Sequence, residues 1–263
     1  RSKSPFIDLR LLVKRNFLLA TTAVAFTGAF MLSSLYIIPN YLLQVQGYDA
    51  FQVGKVLLWG GPVQIPFTLM VPFLLKRFQA RPVVITGCVS FFVASYLSVS
   101  MTHLTAGDQF ILPQIFRAIG SSFVIAPLSG LAFADIEQKS VGSAVALYNL
   151  MRTLGGSVTI AGFGTFLSQR YIFHFSRISE KINMASPVVR ETLDRAANLY
   201  ATRWPSGEEQ AVLTLGKILN REAYIMAFSD VFFVMAISIL FVILMVVLIK
   251  KSKAVSTGPV LDH

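Results

Sequence analysis

Val231-Phe232-Phe233-Val234-Met235-Ala236-Ile237-Ser238-Ile239-Leu240-Phe241-Val242-Ile243-Leu244-Met245-Val246-Val247-Leu248-Ile249 contains no charge and only one hydroxyl. It is apolar all round, so it has no polar face to turn toward water. About 20 apolar residues cross a bilayer core as a helix. A membrane β-barrel strand would be about ten residues of alternating polarity, and this run does not alternate. Lipid offers the backbone no hydrogen-bond partner, so the segment reads as a membrane helix.

Five more stretches resemble it. The six candidate spans are 17–40, 56–75, 82–101, 110–133, 141–167 and 226–249. The 263-residue chain has 23 basic and 13 acidic residues, and only Arg117, Arg152 and Asp230 fall inside the spans. Charged residues make up 14% of the chain, against about 25% in ordinary soluble domains. This excludes a soluble enzyme, a secreted disulfide scaffold and a disordered chain. The fold class expected is an all-α integral membrane domain of six helices. Its boundaries are a connector at 1–16, a membrane domain over 17–249 and a tail at 250–263.

The net charge of +10 is concentrated beside the spans. That placement points to membrane orientation rather than nucleic acid. Segment 1–16 carries Arg1, Lys3, Arg10, Lys14 and Arg15. The connector 76–81 carries Lys76, Arg77 and Arg81, and 134–140 carries Lys139. The tail carries Lys250, Lys251 and Lys253. The short connectors 41–53 and 102–109 carry no basic residue. Both ends are therefore expected in the cytoplasm. The opening Arg1-Ser2-Lys3-Ser4-Pro5 is no signal peptide and reads as a cut within a loop of a longer chain. Cys88, the one cysteine, lies mid-span, so no intrachain disulfide or cysteine metal cluster can form.

Segment 168–223 carries eight basic and six acidic residues and is expected outside the bilayer. Long loops translocate largely regardless of charge. Ser186-Pro187 reads as a helix start, followed by a stripe of Val189, Leu193, Ala196 and Tyr200. Ser206 and Glu209 match a capping box ahead of Val212, Leu215 and Leu219. These signals predict an external helical hairpin, either a cap on the protein's own loops or a docking surface for a partner.

Polar residues inside spans mark the candidate site. They are Tyr36 and Asn40 in span one, Gln64 in span two, Gln114 and Arg117 in span four, and Tyr148, Asn149 and Arg152 in span five. Spacings of three and four place each set on one helical face. A central arginine costs at least about 2.5–3.5 kcal/mol on insertion scales, so it should face water or a partner. Two arginines on two spans suggest a shared polar cavity, and Arg152 is expected to serve transport. Spans one, two, four and five should look inward, and spans three and six toward lipid. Asp230 is the candidate proton site, with an interfacial helix-end carboxylate as the plainer reading.

Gly155, Gly156, Gly162 and Gly164, with Ser157, Ala161 and Thr165, suit close helix approach in span five. Gly60, Gly61, Pro62, Pro66 and Pro72 suit bending in span two. No phosphate-binding loop, nucleophile elbow or metal-ligand cluster occurs in the sequence, so no enzyme activity, cofactor or metal is expected.

Two stretches carry a resemblance. They are Phe116-Arg117-Ala118-Ile119-Gly120-Ser121-Ser122-Phe123-Val124-Ile125-Ala126-Pro127-Leu128 and Tyr148-Asn149-Leu150-Met151-Arg152-Thr153-Leu154-Gly155-Gly156-Ser157. With Ile7-Asp8-Leu9-Arg10, they resemble the C-terminal part of fourteen-span drug:proton antiporters of the EmrB/QacA type, in the major facilitator superfamily. Ala223 to Phe233 and the long segment before it lean toward EmrB.

The resemblance implies the C-terminal half of a multidrug exporter in the bacterial inner membrane. Hydrophobic compounds would leave by proton antiport, with the site between this half and the N-terminal half. It also implies a periplasmic adaptor and an outer-membrane channel as partners, and no nucleic acid. Rival readings are an exporter of a siderophore or lipid-like compound and a non-transporting membrane scaffold. The sequence departs from the superfamily's acidic-basic loop motif, since Lys76 stands where an aspartate would be.

Overall fold

A computed structural model describes residues 9–100, 102, 107–181, 191 and 207–249. Among these, the regular elements are all helical. They are α1 (Arg15–Gln44), α2 (Ala50–Leu58), α3 (Gly60–Arg77), α4 (Ala80–Val99), α5 (Ile111–Phe133), α6 (Val141–Lys181) and α7 (Gly207–Leu248), with short 3-10 turns at Leu9–Val13, Gly107–Phe110 and Gln138–Ser140.

Local chemistry sets several of these bounds. The chain turns after α1 at Gly47, whose φ of +66° favours a residue without a Cβ. Asp49 and Gln52 then start α2 with a reciprocal capping box, each side chain accepting from the other's backbone N–H at 2.8 and 2.9 Å. Span two is broken at Trp59 between α2 and α3. Pro62 has no N–H to give the Leu58 carbonyl, which favours a break there. Span two thus begins at Ala50 rather than at 56. Lys55 belongs to α2, so the basic-free stretch 41–53 stops just short of a lysine.

Several hydroxyls within the spans turn back on their own helices. Thr21 donates to the Phe17 carbonyl at 2.6 Å, Ser95 to Phe91 at 3.1 Å and Ser238 to Val234 at 2.8 Å. A membrane helix must satisfy its polar atoms internally, and this bond does so without a partner helix.

Helix α1 is central, packing on α5, α6 and α7, while α4 lies between α5 and α7 and α3 rests mainly on α5. Helices α4 and α7 run antiparallel. Arg81, at the start of α4, donates to the Val247 carbonyl at 2.7 Å, and Ser229 donates to the Val99 carbonyl at 2.8 Å. Both bonds engage carbonyls that a helix end leaves unpaired.

Glycines allow the closest approaches. A Cβ on Gly155 would lie 2.5 Å from the Ala25 carbonyl oxygen, and one on Gly28 would lie 2.7 Å from that of Arg152. Gly120 likewise admits Phe91 of α4, whose ring would be 2.6 Å from an added Cβ. Gly162 and Gly164 face open space, so the small-residue series of span five is divided between a packed and an open stretch.

Outward faces are apolar. Helix α7 exposes Phe233, Ile237, Leu240, Phe241, Leu244 and Leu248, a stripe at helical spacing. Helix α3 buries only Val71 and exposes Ile65, Leu69 and Phe73. Span two, expected to look inward, is the least buried of the five long apolar segments, below spans three and six.

Five segments are long and apolar enough to cross a membrane: Arg15–Gln44, Ala50–Arg77, Ala80–Val99, Asp108–Phe133 and Val212–Leu248. Helix α6 is not among them. Its glycines, Asn149, Arg152 and a run of serines and threonines dilute its apolar content. Much of the expected external loop is helix continuous with the flanking spans. Helix α6 runs on to Lys181, and Val212, Leu215 and Leu219 belong to α7 rather than to a separate arm. Most of the first arm, the Ser206 cap and the tail lie outside the described residues.

Candidate functional site

Helices α1, α2, α3 and α5 enclose a cavity of about 270 Å³. Gln64 of α3 and Gln114 and Arg117 of α5 line it together, beside Leu35, Gly60 and Ser121. Spacing alone placed Gln114 and Arg117 on one face, and packing adds Gln64 from across the helix pair. Ser122 holds that pair in register, lying 2.9 Å from the Thr68 hydroxyl and donating to the Gln64 carbonyl at 3.2 Å.

Gln114 is 5% exposed. The Nε of Arg117 is buried with no hydrogen-bond partner. No ion pair joins Arg117 to a carboxylate among the described residues. A guanidinium without an ion pair stays charged and offers a planar fork of donors, chemistry suited to an anion.

The other expected site residues lie elsewhere. Tyr36 is 42% exposed on α1, and Asn40 donates back to its carbonyl at 2.7 Å. Tyr148 is buried edge-on against Phe133, ring centres 5.3 Å apart, with no partner for its hydroxyl. Asn149 donates to the Val145 carbonyl at 3.0 Å. Arg152 is half-buried where α6 crosses Gly28 of α1. It is not among the residues lining the Arg117 cavity. Helix α1 packs on both α5 and α6, the helices that carry the two arginines.

Asp230 is in a cluster that the sequence did not reveal. Its Oδ2 accepts from Arg170 Nε at 2.5 Å and lies 2.7 Å from His174 Nε2. His174, on the continuation of α6, is 9% exposed. The 170/174 spacing of one helical turn was the available signal, hidden because the helix was expected to end at 167. At the other end of the bundle, Asn16 donates to Asp135 Oδ2 at 2.7 Å, and Lys14 donates to the Asp135 carbonyl at 2.9 Å. Glu137 is held below the usual carboxylate range by its hydrogen bond to the Lys139 ammonium, 2.8 Å away. No group of three or more metal-ligating side chains occurs among the described residues.

The sequence profile of the Major Facilitator Superfamily matches residues 1–160. The chain belongs to the Major Facilitator Superfamily. It is thus a multi-pass membrane protein of a transporter family. Among curated relatives it is 25% identical to the Colistin resistance protein EmrB of Acinetobacter baumannii, over 89% of this chain and 46% of that protein. It is 25% identical to the Probable multidrug resistance protein EmrY of Escherichia coli, over 71% of this chain and 37% of the relative. The Fatty acid resistance protein FarB of Neisseria gonorrhoeae is also 25% identical, over 92% and 46%. The chain spans about half the length, or less, of these superfamily relatives.

Proposed function

We propose that this chain is the C-terminal half of a proton-coupled exporter of hydrophobic compounds. The observation that carries the reading is Arg117. It lines a cavity in the membrane domain with Gln64 and Gln114, and no described carboxylate neutralises it. A charge held at that cost finds its partner in a substrate or in the other half of the transporter.

In this reading, the bare face of α2 and α3 packs against the N-terminal half, and the substrate lies between the halves. Helix α6 crosses the membrane as span five, since it packs along α1 and α7, which are both long and apolar enough to span. Both ends face the cytoplasm of a bacterium, and the ends of α6 and α7 nearest Lys181 and Gly207 face the periplasm. A periplasmic adaptor and an outer-membrane channel would complete the route. The chain carries out no catalysis.

A lipid-like anionic substrate is the second reading. The Arg117 guanidinium favours it, and one relative is named for fatty acid resistance.

The test is the full-length protein in proteoliposomes under an imposed pH gradient, presented in turn with a cationic dye and a fatty acid. Gradient-driven movement of the dye, abolished by a protonophore, is the expected result. Movement of the fatty acid alone selects the second reading. Transport that ignores collapse of the gradient would overturn proton coupling.

A further inference from the structure

A second cavity, of about 560 Å³, opens at the end of the bundle where α1 terminates. Its walls come from the turn after α1, from Tyr171 of α6, and from Lys217, Asn220, Arg221 and Tyr224 of α7. We propose that it binds the phosphate-bearing headgroup of an anionic membrane lipid.

Charge is the first argument. Lys217 and Arg221 are one helical turn apart, so their side chains share a face. Like charges at that spacing repel, by a few tenths of a kcal/mol when exposed. No carboxylate lines the cavity. Lys217 has no ion pair with a described carboxylate. Arg221 has only Glu222 beside it, with Nη2 and Oε1 3.9 Å apart, and its Nε is buried without a partner. An anion bridging the two cations would relieve the repulsion and accept their donors.

Rigidity is the second. Tyr171 and Tyr224 stack with centroids 4.1 Å apart and planes 20° from parallel. The Tyr171 hydroxyl donates to Asn220 Oδ1 at 2.5 Å. That bond commits the Asn220 oxygen and leaves the amide two N–H donors. The polar wall is therefore held in place from both α6 and α7.

Depth is the third. Arg221 lies five residues before Met226, where the apolar span was expected to begin. At 1.5 Å per residue, that is about 7.5 Å along the helix. The headgroup region adds roughly 5–7 Å on each side of a bilayer's hydrocarbon core. Tyrosines concentrate at this level. Met226 is exposed on the membrane side of Arg221, giving apolar surface where a lipid's chains would begin. A soluble phosphate would use the two cations but none of this apolar surface.

The experiment is native mass spectrometry of the full-length protein released from neutral detergent. Phosphatidylglycerol, phosphatidylcholine and free glycerol 3-phosphate are added separately. The native protein should retain phosphatidylglycerol at least tenfold more than either of the others. Lys217→Gln/Arg221→Gln should lose that preference, and Arg221→Lys should keep most of it. Melting temperatures of both variants separate lost binding from lost fold. If the double variant does not fold, Lys217→Gln alone must still lower retention. Equal retention of the two lipids, or a preference that survives loss of both cations in a folded protein, would overturn the proposal. Binding of glycerol 3-phosphate as tight as the lipid's would overturn the lipid as its source.

Discussion

Arg170 Nε donates to Asp230 Oδ2 at 2.5 Å, joining two helices across 60 residues of sequence. His174 shares the same oxygen at 2.7 Å. Asp230 thereby clasps the extended end of α6 to α7 rather than standing alone in a span. Side chains about one-third exposed, as these are, gain less from pairing than fully buried ones. Arg170→Leu or Asp230→Asn should each destabilise the protein by about 1–2 kcal/mol. Removing both should cost less than the sum of the two, since each single change already breaks the bond. Thermal unfolding of the four proteins in one detergent checks this; strictly additive losses would show that the clasp contributes nothing.

Gly155 and Gly162 should respond oppositely to alanine. An added Cβ at Gly155 would lie 2.5 Å from the Ala25 carbonyl oxygen, a backbone atom that cannot swing aside. Gly155→Ala should therefore lose about 1–3 kcal/mol. Gly162→Ala meets nothing within 4 Å and should be neutral or gain up to about 1 kcal/mol of helix stability. Melting temperatures of the two variants decide it; equal behaviour would contradict the α1–α6 crossing.

The connector charges predict that both ends of the chain face the cytoplasm. Lys139→Cys should react with a membrane-impermeant thiol reagent only in inverted vesicles, and Ser206→Cys only in intact cells. Cys88 is buried and contributes no background. Labelling of Ser206→Cys from the cytoplasmic side alone would reverse the topology.

The apolar runs made the membrane helices legible, because nothing else in the sequence could serve those residues. Helix ends were harder. Asp49 and Gln52 form a capping box that starts α2 six residues before the apolar run at 56, a signal that hydropathy does not register. The extension of α6 past 167 mixes Gln169, Arg170, His174 and Arg177 with aromatics, so it looks like a loop until packing is known. The site was legible only within single helices. Gln114 and Arg117 share a face by spacing alone, but Gln64 joins them through α3–α5 packing, and Arg152 is not among the residues lining their cavity. Contacts such as Arg170–Asp230 depend on how distant helices meet, which one sequence does not encode locally.

Arg152 should serve transport although it does not line the Arg117 cavity. Arg152 lies against Gly28 of α1, and Arg152→Lys keeps the charge but loses the planar fork, so it should insert normally and retain part of any efflux. Arg152→Leu should insert near normally yet lose proton-coupled efflux. Membrane abundance measured beside dye efflux separates the two effects; native efflux from Arg152→Leu would make the residue structural.

The most direct test is Arg117 in the full-length transporter. Efflux under an imposed pH gradient is measured in proteoliposomes for the native protein, Arg117→Lys and Arg117→Leu at matched protein abundance. Loss of one charge-assisted contact worth about 1.5–3 kcal/mol corresponds to a fall of roughly ten- to 150-fold. Arg117→Leu should show such a fall and Arg117→Lys should keep partial activity. Efflux by Arg117→Leu at the native rate would contradict the role proposed for Arg117.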